Sequence, residues 1–138
     1  MSDNITHKTV IKIPFFDVDS LQIAWHGHYV KYLEIARCEL LDKIGYNYND
    51  MADSGFMWPI VDLQIKYIKP VKFGQLIEIE SKIIEYENRL KIAYSIYDQK
   101  TGNKLTKALT TQLALDLQTH ELQFVSPEIL IDKIRRFT

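Results

Sequence analysis

Residues 28–44 read HYVKYLEIARCELLDKI. The apolar side chains of this stretch recur every three or four positions, as they do along one face of an amphipathic α-helix. They are Tyr29, Leu33, Ala36, Leu40 and Ile44. Gly45 then stands where helices commonly end in a left-handed residue. The spacing therefore predicts a long helix over His28–Ile44 with one apolar face.

On both sides of this helix the apolar period changes to two, which is typical of strands with one buried face. Upstream, Ile11, Ile13 and Phe15 predict a strand over Thr9–Phe15. Downstream, alternation predicts four further strands, which are Val61–Tyr67, Leu76–Ile84, Leu90–Ile96 and Leu105–Leu117. The predicted buried face of the last one contains Leu105, Leu109, Thr111, Leu113, Leu115 and Leu117.

The connections support this order of elements. Asp98–Asn103 contains Thr-Gly-Asn and predicts a hairpin turn. Tyr46–Gly55 is a polar connection with room for one short helical turn. Ser126 as a cap and Pro127 as the first helical residue predict a terminal helix over Ile129–Phe137.

One long apolar helix beside consecutive strands indicates an α+β fold. A helix packed on one face of an antiparallel sheet buries both apolar surfaces at once. Consecutive strands without helices between them argue against a doubly wound parallel sheet. We expect a single domain spanning residues 1–138, because a chain of this length builds about one domain.

Composition excludes several classes of protein. The 17 basic and 18 acidic residues nearly cancel, so a broad basic surface for nucleic acid is not expected. The single cysteine, Cys38, excludes internal disulfides and multi-cysteine zinc sites. The start MSDNITHKTV lacks the pattern of a secretory signal, and no apolar run approaches the roughly 20 residues of a membrane span. We therefore expect a cytoplasmic protein without a membrane span.

The chemically richest stretch lies directly before the predicted long helix. Asp17, Asp19, His26 and His28 fall within twelve residues, next to Gly27. A helix N-terminus offers free backbone N–H groups that can hold a developing oxyanion. A nearby carboxylate can attack a carbonyl or take a proton from water. Gly27 allows a ligand close to the backbone, so the stretch indicates acyl transfer.

Other interpretations of these residues stay open. Asp at a helix start is commonly a cap, and His28 is able to pack or cap in the same way. Asp-x-Asp and His-x-His also suit a metal, although nothing later in the chain adds a distinctive ligand set. The glycines form no phosphate loop, and no Gly-x-Ser-x-Gly elbow is present.

The sequence resembles the hotdog-fold thioesterases, in the branch of 4-hydroxybenzoyl-CoA thioesterase and the Tol–Pal-associated acyl-CoA thioesterases. The resemblance covers nearly the whole chain. Its strongest part is Phe16-Asp17-Val18-Asp19, then His26, then Tyr29-x-x-Tyr32-x-Glu34-x-x-Arg37. Pro70-x-x-x-Gly74-x-Leu76 matches a turn of the family. The family usually has glycine three residues after its catalytic Asp, and here that residue is Gln22.

This resemblance implies a hotdog fold, in which a five- to six-stranded antiparallel sheet wraps a long central helix. It implies homodimers, often paired into homotetramers, with sites at the subunit interface. It makes Asp19 the catalytic nucleophile or base and His26 its helper, with the backbone N–H at residue 26 polarising the carbonyl. Glu34 corresponds to a position that can face the acyl pocket.

The sequence thus predicts an enzyme that cleaves an acyl-CoA or acyl-carrier-protein thioester with water, without a cofactor or a metal. Catalysis is assigned to Asp19 and His26. The predicted substrate-binding residues are Trp25, Gly27, His28, Glu34 and Trp58. A hotdog-type hydratase or dehydratase and a non-catalytic acyl-binding module remain alternatives.

Overall fold

The computed structural model describes residues 5–137, and within them the chain forms three helices and seven strands. The helices are α1 (His28–Ile44), α2 (Tyr48–Asp53) and α3 (Glu128–Arg135). The strands are β1 (Thr6–Lys12), β2 (Phe56–Met57), β3 (Ile60–Tyr67), β4 (Leu76–Glu85), β5 (Leu90–Asp98), β6 (Lys104–Gln112) and β7 (Leu115–Asp116). The expected α+β class is confirmed.

Five strands form one antiparallel sheet in the order β1-β4-β5-β6-β3, so β1 and β3 are its edges. α1 packs its apolar face on this sheet, and all five residues of the predicted helical face are almost completely buried. Gly45 ends the helix at φ 74°, in the left-handed conformation expected of a C-terminal glycine. β2 and β7 pair separately as a small second sheet.

The first strand lies three residues earlier than predicted. β1 ends at Lys12, and Phe15 begins a short 3₁₀ turn that runs to Asp17. Ile13 is buried as expected, but Phe15 is 73% exposed and meets Phe73 edge to face, with 5.9 Å between ring centroids. Ile13 and Phe15, the last two residues of the alternating pattern, therefore lie beyond the end of β1.

The predicted buried face of the Leu105–Leu117 segment is only partly correct: Leu105 and Thr111 are buried, but Leu117 is 40% exposed. β6 ends at Gln112, and the side that faces α1 carries Thr106, Ala108, Thr110 and Gln112, all buried. Their polar groups find partners inside: the hydroxyls of Tyr94 and Thr110 lie 2.8 Å apart, and Gln112 Nε2 donates to the Trp58 carbonyl at 2.7 Å. Hydrogen bonding thus allows a polar face to be buried.

The terminal helix is present but begins differently. α3 covers Glu128–Arg135 and its N-cap is Pro127, without a side-chain capping bond. Ser126, the predicted cap, has a buried hydroxyl with no hydrogen-bond partner in the structure. The polar connection after α1 contains α2. A capping box formed by Asn47 and Asp50 stabilises the N-terminus of α2.

Residues 1–4, on which part of the expectation about the N-terminus rests, lie outside the described residues, as does Thr138. Between residues 5 and 137 no helix is both long enough and apolar enough to cross a membrane.

Candidate active site

A cavity of about 350 Å³ opens where the loop after β1 meets the N-terminus of α1 and the end of β3. Its walls come from loop residues 19 and 23–26, from Tyr29 in the first turn of α1, and from residues 67–70. The loop closes on itself through a bridge between Val18 and Ala24, and a second bridge joins Ile23 to Lys72. Three of the predicted site residues, Asp19, Trp25 and His26, line this cavity.

Asp17 is a buried structural carboxylate. Lys31 Nζ donates to both of its oxygens, at 2.6 and 2.7 Å, and the Tyr32 hydroxyl donates to Oδ2 at 2.8 Å. Burial by itself raises the pKa of Asp17, but these hydrogen bonds and the charge of Lys31 outweigh it and hold the pKa below its ordinary value. Asp17 therefore fastens the loop to α1 and does not line the cavity.

Asp19 is the carboxylate that lines the cavity. Its side chain is exposed, and Oδ1 accepts hydrogen bonds from the backbone N–H groups of Leu21 at 2.9 Å and Ile23 at 3.3 Å. Among the described residues no donor contacts Oδ2. One oxygen therefore fixes the orientation of the carboxylate, and the other is available to a ligand or a water molecule.

The residue three positions after Asp19 adopts a glycine-like backbone without being glycine. Gln22 has φ 62°, in the left-handed region that side chains with a Cβ disfavour. Its N–H donates to the Asp19 carbonyl at 2.9 Å, and its carbonyl accepts from Phe73 N–H at 3.0 Å. Two backbone hydrogen bonds thus hold Gln22 in this conformation and shape the loop that presents Asp19.

The backbone at the N-terminus of α1 contains hydrogen-bond donors, beside the same cavity, that have no acceptor among the described residues. His28 N–H donates to the Trp25 carbonyl at 2.9 Å, and Tyr29 N–H to the His26 carbonyl at 3.2 Å. Within residues 5–137 the backbone N–H groups of His26 and Gly27 have no acceptor, as is common at a helix start. The exposed His26 side chain also lines the cavity.

The absence of a side chain at Gly27 leaves space for the indole ring of Trp25. A Cβ on Gly27 would lie 2.2–2.6 Å from three atoms of the indole, so the ring packs on the glycine backbone. Trp25 is 54% exposed, lines the cavity and has its ring centroid 5.2 Å from that of His26. The His28 ring also contacts the Trp25 indole, in an edge-to-face arrangement. His28 Nδ1 lies 3.8 Å from Asp17 Oδ1.

Glu34 and Trp58 lie away from this cavity. Glu34 pairs with the buried guanidinium of Arg37, which also donates to the Tyr48 hydroxyl at 2.9 Å. Trp58 is buried in the core, and its Nε1 donates to the Tyr46 hydroxyl at 3.3 Å. Within one chain neither side chain reaches the residues around Asp19.

Two residues that were not assigned to the site from the sequence, Tyr29 and Tyr67, also line the cavity. The Tyr29 and Tyr67 rings meet edge to face with 4.8 Å between centroids. The Tyr29 hydroxyl accepts from Val71 N–H at 3.2 Å, and burial raises its pKa. In the sequence, Tyr29 was interpreted as a core position of the helix and as part of the motif shared with the family, and Tyr67 as the end of a strand before Pro70.

No group of three or more His, Cys, Asp or Glu side chains within the described range is arranged to hold a metal ion. The long helix α1 packed on a five-stranded antiparallel sheet has the architecture of the hotdog fold. The sequence pattern of the thioesterase-like superfamily matches residues 13–132. The chain belongs to this superfamily and is a thioester hydrolase.

Individual proteins agree with this assignment. YneP of Bacillus subtilis, described as an acyl-CoA thioesterase, is 28% identical over 119 residues, which are 85% of this chain and 86% of that protein. A DHNA-CoA thioesterase from Staphylococcus aureus superposes with a TM-score of 0.77 at 24% identity, over 85% of this chain and 78% of the other. A 1,4-dihydroxy-2-naphthoyl-CoA thioesterase from Synechocystis gives a TM-score of 0.84 at 17% identity, over 94% and 96%. The two structures share the fold.

Proposed function

We propose that this protein hydrolyses an acyl-CoA thioester to a free acid and a thiol, with Asp19 as the base or nucleophile. One observation carries the proposal: Asp19 and His26, the latter just before α1, line a single cavity. One oxygen of Asp19 and the backbone N–H groups of His26 and the adjacent Gly27 have no partner among the described residues. The name of the Bacillus subtilis relative supports a coenzyme A thioester as the substrate. An acyl-carrier-protein thioester is the alternative.

In the proposed reaction the thioester oxygen accepts hydrogen bonds from the N–H groups of His26 and Gly27. These donors and the positive end of the α1 dipole stabilise the oxyanion that forms when the carbonyl is attacked. As a base, Asp19 takes one proton from water while the water oxygen bonds to the carbonyl carbon. The C–S bond then breaks, and that proton reaches the departing thiolate. As a nucleophile, an Asp19 oxygen bonds to the carbonyl carbon and the C–S bond breaks, which releases the thiolate and leaves a mixed anhydride. Water then attacks the anhydride, which releases the acid and restores the Asp19 carboxylate, and a proton from that water reaches the thiolate.

The other walls of the cavity suit the rest of such a substrate. Ile23, Tyr29, Tyr67 and Ile68 offer an apolar surface for an acyl group. Lys69 places a cation at the same cavity, where it can meet a phosphate of the thiol carrier. The imidazole of His26 lies where it can assist the water or the leaving thiolate. The reaction needs only water and these groups, so we propose no cofactor or metal.

The test is a panel of short, long, branched and aromatic acyl-CoAs with a thiol-detecting reagent. The wild-type protein should release thiol from at least one of them, and Asp19→Asn should lower kcat by about 10³-fold or more, as loss of a catalytic carboxylate does. The fold should survive, because the Asp19 side chain is exposed.

Asp116 provides a matched control for Asp19. Its Oδ1 also accepts two backbone hydrogen bonds in a turn, from Gln118 and Thr119, both at 2.9 Å, but it does not line the cavity. Asp116→Asn should therefore keep full activity. An Asp19→Asn enzyme as active as Asp116→Asn would refute the role of Asp19.

We also propose that the active form is an assembly of two or more copies joined along β3. This strand lies at the edge of the five-stranded sheet and exposes apolar side chains on the α1 side, including Leu63 at 40% and Tyr67 at 49%. A long exposed edge strand pairs readily with another chain. Pairing two copies would continue the sheet and cover these side chains.

A further inference from the structure

The sequence of β3 is nearly symmetric about Gln64. Residues 61–67 read VDLQIKY. Leu63 and Ile65 flank Gln64 with apolar side chains, and Asp62 and Lys66 follow with opposite charges. Neither charge has an ion-pair partner within the described residues, although Gln64 Nε2 donates to Asp62 at 2.9 Å. The strand is thus complementary to a reversed copy of itself.

This symmetry selects one register for an antiparallel pair of β3 strands. A twofold axis at Gln64 sets Asp62 of each copy opposite Lys66 of the other, and Leu63 opposite Ile65. Directly opposed residues share one face of a sheet, where opposite charges and apolar pairs are both stabilising. The apolar pairs then lie on the α1 side, because Leu63 and Ile65 share that side with Thr110 and Ala108 of β6.

Neighbouring registers lose this match. An axis at Leu63 sets Asp62 opposite Gln64, and an axis at Ile65 sets Lys66 opposite Gln64, so neither register pairs the two charges. Within residues 62–66, registers between these positions oppose an apolar to a polar side chain at every pair, because the side-chain period of a strand is two. Only the axis at Gln64 satisfies both charges of β3.

A β-bulge in β3 determines which side of the sheet Ile60 occupies, and so which residue of a second copy Ile60 would be opposite. In the pairing of β3 with β6, Ile60 is opposite Gln112 and Asp62 is opposite Thr111, so Val61 is an extra residue. The extra residue puts the side chain of Ile60, 37% exposed, on the same side as the buried Gln112, which faces α1. Across the twofold axis, the residue that follows Asp62 on that side is therefore Ile60, opposite Tyr67.

We propose that two copies pair through β3 with the axis at Gln64, and that Ile60 of the second copy forms a wall of the cavity beside Tyr67 and limits the acyl group it accepts. Tyr67 already lines the cavity and contacts Tyr29, so a side chain opposite Tyr67 meets whatever extends past these rings. The part concerning the acyl group rests on the thioesterase function proposed above; the register does not.

Cysteine cross-linking tests the register without any substrate. Three single-cysteine variants are made in a Cys38→Ser background: Gln64→Cys, Leu63→Cys and Ile65→Cys. Each is oxidised mildly, and the cross-linked dimer is separated from the monomer by gel electrophoresis without reductant. Opposed Cα atoms lie about 4.5–5.5 Å apart, within the range of a disulfide, only for a residue on the axis. Gln64→Cys should cross-link at least tenfold faster than either neighbour, and a mixture of the two neighbours should cross-link with each other. Equal or faster self-linking of a neighbour, or no cross-link at residue 64, overturns the register.

Substitution of Ile60 tests the wall of the cavity. Ile60→Phe should lower kcat/KM for long-chain acyl-CoAs at least tenfold relative to short ones. Ile84, an isoleucine of β4 with 45% exposure and far from the cavity, is the matched control, and Ile84→Phe should leave that ratio unchanged. An unchanged ratio in Ile60→Phe overturns the assignment. If the wild-type protein cleaves no acyl-CoA, the proposed function fails, while the cross-linking still decides the register.

Mixed dimers show which copy supplies Ile60. One chain carries both Asp19→Asn and Ile60→Phe, the other is wild type, and the dimer of the two is purified by different tags. Its one working Asp19 belongs to the wild-type chain and faces Phe at residue 60 of the mutant chain. The dimer should therefore show the chain-length preference of Ile60→Phe. Wild-type preference would mean that Ile60 does not act across the interface.

Discussion

Asp17 and Asp19 are chemically identical and lie two residues apart, yet their surroundings give them different roles. The sequence places both before α1 and cannot separate them, because an extended segment would set both on one face. The 3₁₀ turn at Phe15–Asp17 breaks that alternation, so that Asp17 is buried against Lys31 and Tyr32 while Asp19 reaches the cavity. The resemblance to the family assigned the catalytic role to Asp19. In the structure, Oδ1 of Asp19 accepts two backbone hydrogen bonds, and Oδ2 accepts none from the described residues.

The left-handed backbone of Gln22 leads to a prediction about the stability of the protein. A left-handed residue with a Cβ costs roughly 1–2 kcal/mol, while glycine adds about 0.4–1 kcal/mol of unfolded-chain entropy. Gln22→Gly should therefore raise the free energy of unfolding by about 0.5–1 kcal/mol, measured by urea denaturation. Gln22→Ala keeps the backbone strain and should gain nothing.

His120 serves as the control, because it has φ 61° in a turn remote from the cavity. His120→Gly should stabilise the protein to a similar degree and leave thioesterase activity unchanged. A Gln22→Gly protein less stable than wild type would show that the Gln22 side chain itself makes a stabilising contact.

At the scale of elements, the carboxylate of Asp17 joins the loop that contains Asp19 to α1. Because its pKa is lower in the folded chain than its ordinary value of 3.8, the unfolded chain binds the proton first as pH falls. The contribution is complete above about pH 4 and is lost below it. Asp17→Asn should cost about 2 kcal/mol at pH 7, the worth of a hydrogen bond to a charged group, and progressively less at pH 3 and below.

Urea denaturation of wild type and Asp17→Asn across pH 2–7 measures this difference. Combining Asp17→Asn with Lys31→Met should cost less than the sum of the single changes, since both remove the same interaction. A difference that stays constant down to pH 2 would exclude titration of Asp17 as its source.

The strands show why a sequence pattern predicts elements better than faces. The leucines at 105, 109 and 113 indicate one face of β6, but the helix side belongs to Thr106, Thr110 and Gln112. Alternation records which residues are apolar, whereas burial of polar side chains depends on partners such as Tyr94 and the Trp58 carbonyl, which lie 16 and 54 residues away. The helix α1 was predictable to the residue because its apolar period and its terminal glycine are local features.

At the scale of the whole molecule, the free edge of β3 predicts an assembly. Light scattering of the wild-type protein should show a dimer or a tetramer. Leu63→Lys places a charge on the apolar side of that edge and should shift the protein towards monomer with loss of activity. Leu117, also 40% exposed but distant from β3, is the control, and Leu117→Lys should remain assembled and active. A fully active monomeric wild-type protein would contradict the assembly.

The free edge of β3 also bears on how much enzyme a cell obtains from a given amount of chain. With a working cavity that two copies must share, the population of active sites rises with the square of chain concentration when dimers are scarce, and only linearly once dimers dominate. Small changes in expression would then act as a threshold for thioester turnover. Dilution in an assay should likewise lower the specific activity, and adding an inactive Asp19→Asn chain should restore part of it.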